Sequence, residues 1–242
     1  MWMTKNKQER SKWMNLLSLN NRYIIISLVA FLFVTNISGI ITASDRSVEE
    51  EIKTLLNDEN VVRRRAAAIT LGYHNLQSSV RALIEALDDD DSQVRKNCLR
   101  SLGQLRAQEA IPRIVLLLSE DDSDIRNQAV RSLGFIKSKK SLRHLIRSLK
   151  DKEKTVRLSA IWALAQLKDK RAIRSLIHKL FDKEPEVRAY AAESLGDFGD
   201  KRVIKFLLHV YKNDKDISVR QSAALALKKL GIKKKFPTES EK

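Results

Sequence analysis

Apolar positions along this chain return on a beat of about 31 residues. Leu71, Leu102, Leu133, Leu164, Leu195 and Leu227 are spaced 31, 31, 31, 31 and 32 apart. Four residues before each leucine stands a small residue: Ala67, Cys98, Ala129, Ala160, Ala191 and Ala223. Four earlier again come Val94, Ile125, Val156, Val187 and Val219, with Arg63 in the first unit. A step of four keeps these residues on one face of a helix. A second set lies upstream in each unit, on the rows Ile52, Leu83, Ile114, Leu145, Leu176, Leu207 and Leu56, Leu87, Leu118, Leu149, Leu180, Tyr211. Within it the spacing i, i+3, i+4, i+7 appears, as in Val80, Leu83, Ile84, Leu87 and in Ile173, Leu176, Ile177, Leu180, which predicts an amphipathic helix.

Each unit therefore reads as a helical hairpin. Between its two helices lies a short acidic loop that offers an N-cap to the second: Asn60, Asp91, Asp122, Glu153, Glu184 or Asp216. Pro185 follows Glu184 at the first helical position, where its missing N–H costs nothing. Gly199 and Gly231 stand where a left-handed C-terminal residue belongs. A further row of Gly72, Gly103, Gly134 and Gly196, continued by Ala165 and Lys228, falls inside the second helix and predicts close helix-to-helix approach. One such hairpin cannot bury its apolar face alone. Six in series can, which predicts an all-α solenoid. The low content of turn formers, 7 Gly and 3 Pro, and of aromatics, 6%, argues against an all-β protein.

The segment Glu186-Val187-Arg188-Ala189-Tyr190-Ala191-Ala192-Glu193-Ser194-Leu195-Gly196 resembles HEAT repeats of the bilin-lyase (PBS lyase) type, and the resemblance covers about residues 47–232. It implies an α-solenoid, a right-handed superhelix of about six hairpins with the second helices on the concave surface. It implies little about function, because this repeat serves many unrelated tasks. It also gives a role to Arg64, Arg95, Arg126, Arg157, Arg188 and Arg220, which keep the same beat. In such repeats an arginine here bonds acidic loop residues of a neighbouring repeat, with Asp91, Asp122, Glu153, Glu184 and Asp216 as the acids at hand.

Catalytic signatures are missing from the sequence. Deoxyhypusine hydroxylase, of similar architecture, carries His-Glu pairs for two irons. Here His74, His144, His178 and His209 are followed by Asn75, Leu145, Lys179 and Val210. No Gly-rich phosphate loop, nucleophile elbow or zinc signature is present. Cys98, the one cysteine, sits in the small-residue row and reads as packing. No catalytic residue, cofactor or metal is therefore assigned.

The first 43 residues read as a separate object. Lys5, Lys7, Arg10, Lys12 and Arg22 precede an uncharged, largely apolar run from Tyr23 to Ile41, followed by Thr42, Ala43 and Ser44. Basic, apolar, then small is the order of a secretory signal. Residues 24–41 are also just long enough to span a bilayer as an anchor helix. Cleavage near Ala43, an uncleaved anchor, and a merely hydrophobic first helix of the following domain all fit. The first two put the rest of the chain outside the cytoplasm, in the periplasm or its equivalent. The expected organisation is thus 1–43 signal or anchor, 44–232 solenoid, and 233–242 a basic, polar tail.

Charge changes the picture last. The net charge is +16, yet residues 44–136 hold 13 basic and 16 acidic side chains, and residues 137–235 hold 27 basic and 11 acidic. Much of the excess lies on the turns into the first helices, at Lys139, Lys140, Lys170, Arg171, Arg174, Lys201, Arg202 and Lys205. Stacked repeats turn these into one basic edge, which would attract an anionic surface or polymer. On the second helices, a stripe away from the buried face offers Arg100, Arg131, Phe135, Leu158 and Trp162, with Tyr190 beside it. Exposed aromatics with arginine are the usual make-up of interface hot spots. The expected function is a non-catalytic scaffold that grips a protein on this face. A nucleic-acid binder using the basic edge ranks below it, and a bilin-lyase-like enzyme subunit lower still.

Overall fold

The structure, a computed structural model, describes residues 47–232. The expected signal or anchor at 24–41 and the tail at 233–242 lie outside the described residues. Among the described residues no helix is long and apolar enough to cross a membrane. The chain divides into two compact units, Met1–Glu50 and Glu51–Lys242. Of the first, the described residues 47–50 belong to a helix that runs on to 57.

The second unit is helical throughout its described part, without a strand. After α1 (47–57) come α2 (Val61–Thr70), α3 (Gln77–Glu85), α4 (Ser92–Gln104), α5 (Ile111–Leu116) and α6 (Ser123–Ile136). The series continues with α7 (Leu142–Ser148), α8 (Lys154–Leu167), α9 (Ile173–Lys179), α10 (Pro185–Asp197), α11 (Ile204–Asn213) and α12 (Ile217–Lys229). Even-numbered helices are the second helices of the hairpins, and from α4 onward they run 13 or 14 residues. The first helices α5, α7 and α9 span only 6 or 7, led in by 3₁₀ turns at Gln108–Ala110, Lys139–Ser141 and Lys170–Ala172.

Packing follows the sequence rows. All six residues of the leucine row and all six of the small-residue row are buried, as are the valine row from Val94 to Val219 and Leu83, Ile114, Leu145, Leu176 and Leu207. Burying one leucine removes its side chain from water at a gain of about 1.5–3 kcal/mol, so these rows supply the main cohesion. Successive second helices pack directly, α2 on α4, α4 on α6, α6 on α8, α8 on α10 and α10 on α12. Successive first helices approach one another less closely than the second helices do.

The glycine row sets the helix spacing. A Cβ at Gly72 would fall 2.4 Å from Ser101 Oγ, and one at Gly196 only 2.8 Å from the Ala226 Cα. Next to Gly103 and Gly134 the nearest backbone atoms, the Cα of Ser132 and of Ala163, would lie 3.1 and 3.0 Å away. Where the row carries Ala165 instead, α8 and α10 pack less extensively than the flanking pairs α6·α8 and α10·α12. Serine adds a polar tie across the same seam. Ser101 Oγ donates to the Ala68 carbonyl at 2.7 Å, and Ser132 Oγ to that of Leu99 at 2.5 Å.

Gly199 and Gly231 adopt φ of +67° and +85°, as the sequence predicts. The same step is filled earlier in the chain by Arg106, Lys137 and Lys168, at φ of 52–55°. These cations stand at helix C-termini, where the helix dipole favours positive charge. The caps are as expected in position and only partly in mechanism. Asn60, Asp91, Asp122 and Asp216 accept from backbone N–H groups of the first turn, whereas Glu153 and Glu184 make no such bond. Their extra methylene carries the carboxylate past the geometry that a capping Asp or Asn reaches.

Candidate functional site

The arginine row is structural, but its acids are not those that the sequence suggests. Arg64 Nε donates to Asp89 at 2.7 Å, Arg126 Nε to Asp151 at 2.8 Å, Arg157 Nη2 to Asp182 at 2.9 Å and Arg188 Nε to Asp214 at 2.7 Å. Each acid stands two residues before the expected one and belongs to the loop of the next repeat. There its carboxylate also takes the backbone N–H two residues on, as Asp151 does from Glu153 and Asp182 from Glu184. The arginine's Nη1 turns back to carbonyls of its own loop, as in Arg157 to Asp151 and Lys152, both at 3.0 Å. A guanidinium, with five donors in a fixed fork, suits this bridge as an ammonium would not. The acids Asp151, Asp182 and Asp214 are held below the usual carboxylate range, because cations and backbone N–H groups outweigh the burial that would raise them. Arg95 lacks this acid: Glu120 stands at the position and makes no ion pair with it, so Arg95 bonds only the carbonyls of Asp89 and Asp90, and its Nε, like that of Arg157, is buried without a hydrogen-bond partner.

With that row absorbed by the fold, two surfaces remain. The first lies on the second helices. Arg65 pairs with Asp91, Lys96 with Asp124, Lys154 with Glu186 and Lys229 with Asp197, each pair joining successive second helices. Such exposed pairs contribute about 0–1 kcal/mol each, and they remove those charges from the list of free binding groups. Arg100 and Arg131 are exposed and make no ion pair with a described residue. Arg131 lies over the Trp162 ring at 5.6 Å, within cation–π range. Phe135 meets the same indole edge-on, with centroids 4.9 Å apart at 63°. Trp162 is itself half-buried above Gly134, so it both packs between α6 and α8 and shows a face to solvent. Phe135 remains 38% exposed, and Leu158 and Tyr190 are half-buried. Burial, then Glu193 and Asp197, push the Tyr190 phenol up, with Arg131 opposing them. The structure thus gathers Arg131, Phe135 and Trp162 into one cluster, and the Arg131 charge reaches Tyr190. Arg100 stands on α4, one repeat earlier.

The second surface is the basic edge. All eight of Lys139, Lys140, Lys170, Arg171, Arg174, Lys201, Arg202 and Lys205 are exposed. The Lys139 charge reaches Asp169, and that of Lys170 reaches Asp200, one repeat along in each case. Arg171 folds back on Asp169 and Arg202 on Asp200, and these contacts, with the backbone N–H of the same residues, hold both carboxyls at about 2. The edge also encloses a groove that the repeat pattern does not reveal. Between α9 and α11 lies a cavity of about 850 Å³. Its floor is Ile173, Ile177, Ile204 and Phe206. Phe206, an aromatic off the 31-residue beat, is its one mark in the sequence.

Among the described residues no group of three or more His, Cys, Asp or Glu could hold a metal ion. His144 lines a smaller cavity of about 260 Å³ with Arg147 and Lys150, and its imidazole is pushed down by burial and then by Arg147 and Arg143. Cys98 is buried, and burial pushes its thiol up, away from reactivity.

Comparison with known proteins agrees on the architecture. The chain is similar to a chain of the complex of CpcE and CpcF of phycocyanin lyase from Nostoc sp. PCC7120, at 24% identity and a TM-score of 0.56, over 76% of this chain and 77% of that one. It is similar to an engineered protein at 23% identity and a TM-score of 0.53, over 76% and 98%. A designed armadillo repeat protein in complex with the peptide (KR)4 matches at 16% identity and a TM-score of 0.53, over 75% and 98%. At these identities the likeness establishes the fold alone. No curated protein matches in sequence. The profile for HEAT repeats matches residues 48–134, 80–159 and 142–228, nearly the whole of the described chain, and with the stacked hairpins it shows that this chain belongs to the HEAT-repeat family.

Proposed function

We propose that this protein is a non-catalytic scaffold that binds a protein partner on its second-helix face. The observation that carries the reading is the Arg131–Phe135–Trp162 cluster on α6 and α8. Its cation makes no ion pair with a described residue, and its aromatic rings are held in place by packing. A rigid, partly exposed aromatic beside an unpaired arginine gains affinity at little cost in side-chain ordering. Two of the similar solved structures are complexes, one of two lyase subunits and one with a peptide, which supports protein or peptide binding on a stack of this kind. The finer reading is a periplasmic or otherwise extracytoplasmic scaffold, exported or held at the membrane through residues 24–41. It rests on the basic–apolar–small order of the N-terminus.

The binding test uses exposed positions, because truncating Trp162 would also open a gap above Gly134. Arg131→Glu combined with Phe135→Ser is expected to weaken partner capture by at least about 30-fold, the loss of about 2 kcal/mol that a hot spot carries. Thermal unfolding followed by circular dichroism should shift by only a few degrees. Undiminished capture by a folded variant would remove this surface from the account.

A further inference from the structure

We infer that the groove between α9 and α11 is a second binding site, for a short acidic peptide segment that carries apolar side chains. Successive first helices approach each other less closely than the second helices do, and a groove open to solvent lies between α9 and α11. Its floor is wholly apolar, made of Ile173, Ile177, Ile204 and Phe206, in a cavity of about 850 Å³. Around it stand Lys170, Arg171, Arg174, Lys201, Arg202 and Lys205. Two of these cations, Arg171 and Arg202, are held by Asp169 and Asp200. The other four make no ion pair with a described residue, and Lys205 rests over the Phe206 ring at 5.0 Å.

The fold does not call for these charges. They sit on the turns and first residues leading into α9 and α11, the positive ends of those helices, where a cation works against the helix dipole. Their placement there finds its reason in what comes to the groove. An apolar trough rimmed by unpaired cations matches a ligand that presents apolar side chains downward and carboxylates to either side. A bilayer surface would touch the rim and leave the recessed floor empty. Single-stranded nucleic acid would find one aromatic ring, Phe206, where base stacking needs a succession of them. The site lies on the first helices, apart from the Arg131–Phe135–Trp162 cluster, and stands or falls independently of it.

The test is fluorescence anisotropy on the full chain. The probe is a labelled synthetic peptide of glutamates interrupted by two leucines and a phenylalanine. We expect it to bind, to weaken as salt is raised, and to lose about tenfold in affinity to Arg174→Glu with Lys201→Glu. Both side chains are exposed, so the unfolding transition should not move. Arg131→Glu should leave this binding unchanged. A peptide with serines in place of the leucines and phenylalanine should bind at least about tenfold more weakly. Equal binding of the serine peptide would overturn the proposal by reducing the groove to a charged surface. So would failure of the acidic peptide alongside binding of phosphatidylglycerol vesicles or of a single-stranded oligonucleotide, or no binding of any of them.

Discussion

Replacing Arg157 by alanine is expected to destabilise the repeat stack by about 3–5 kcal/mol, the usual cost of removing one partner from a buried ion pair. Arg157 and Asp182 are 4% and 5% exposed in their side chains. The substitution takes from Asp182 its bond across the repeat boundary and leaves Lys179 as its remaining cation. It also strips the carbonyls of Asp151 and Lys152 of a buried donor. Arg95 provides the comparison within the same molecule. It bonds the carbonyls of Asp89 and Asp90 but has no carboxylate from the next loop, so Arg95→Ala should cost about 1–3 kcal/mol. Urea unfolding of the two variants measures the difference. Equal losses would mean that the arginines act only within their own loops and do not join repeats.

The second large effect is expected at a residue that has no side chain. Gly196→Ala places a methyl carbon 2.8 Å from the Ala226 Cα and 2.9 Å from its Cβ. Backbone cannot swing aside as a flexible side chain does, so α10 and α12 must separate. Alanine is the better helix former by about 1 kcal/mol, and we expect overpacking to exceed that gain and leave a net loss of about 1–3 kcal/mol. Thermal unfolding of Gly196→Ala checks the sign. A rise in melting temperature would show that helix propensity, and not close approach, governs this row.

The repeats were legible because a strict period exposes every structural row at once. The leucine, small-residue and valine rows each name a buried face, and the glycine row names a contact that only a missing Cβ allows. The acids of the arginine ladder were misplaced for a physical reason. Asp91 and its equivalents sit nearest in sequence to the next arginine, but an arginine reaches the carboxylate that its loop geometry presents. That carboxylate belongs to Asp89 and its equivalents, which are themselves anchored by the backbone N–H two residues later. Periodicity likewise located Trp162 on the stripe without showing that it rests above Gly134 while its edge meets Phe135. The α9–α11 groove was hidden because Ile173 and Ile177 read as ordinary core positions. Ile173 is indeed buried, and only the structure shows that the two also line a groove.

Whether the second-helix face of this HEAT-repeat protein holds a protein partner can be read by placing a photo-crosslinking amino acid at Phe135 in the full chain and irradiating the cells that make it. We expect one discrete crosslinked species, identifiable by mass spectrometry as a single protein, that is lost when Arg131→Glu is added and absent when the probe stands at exposed Leu116 instead. A diffuse set of adducts that is the same from both positions, or none from Phe135, would contradict it.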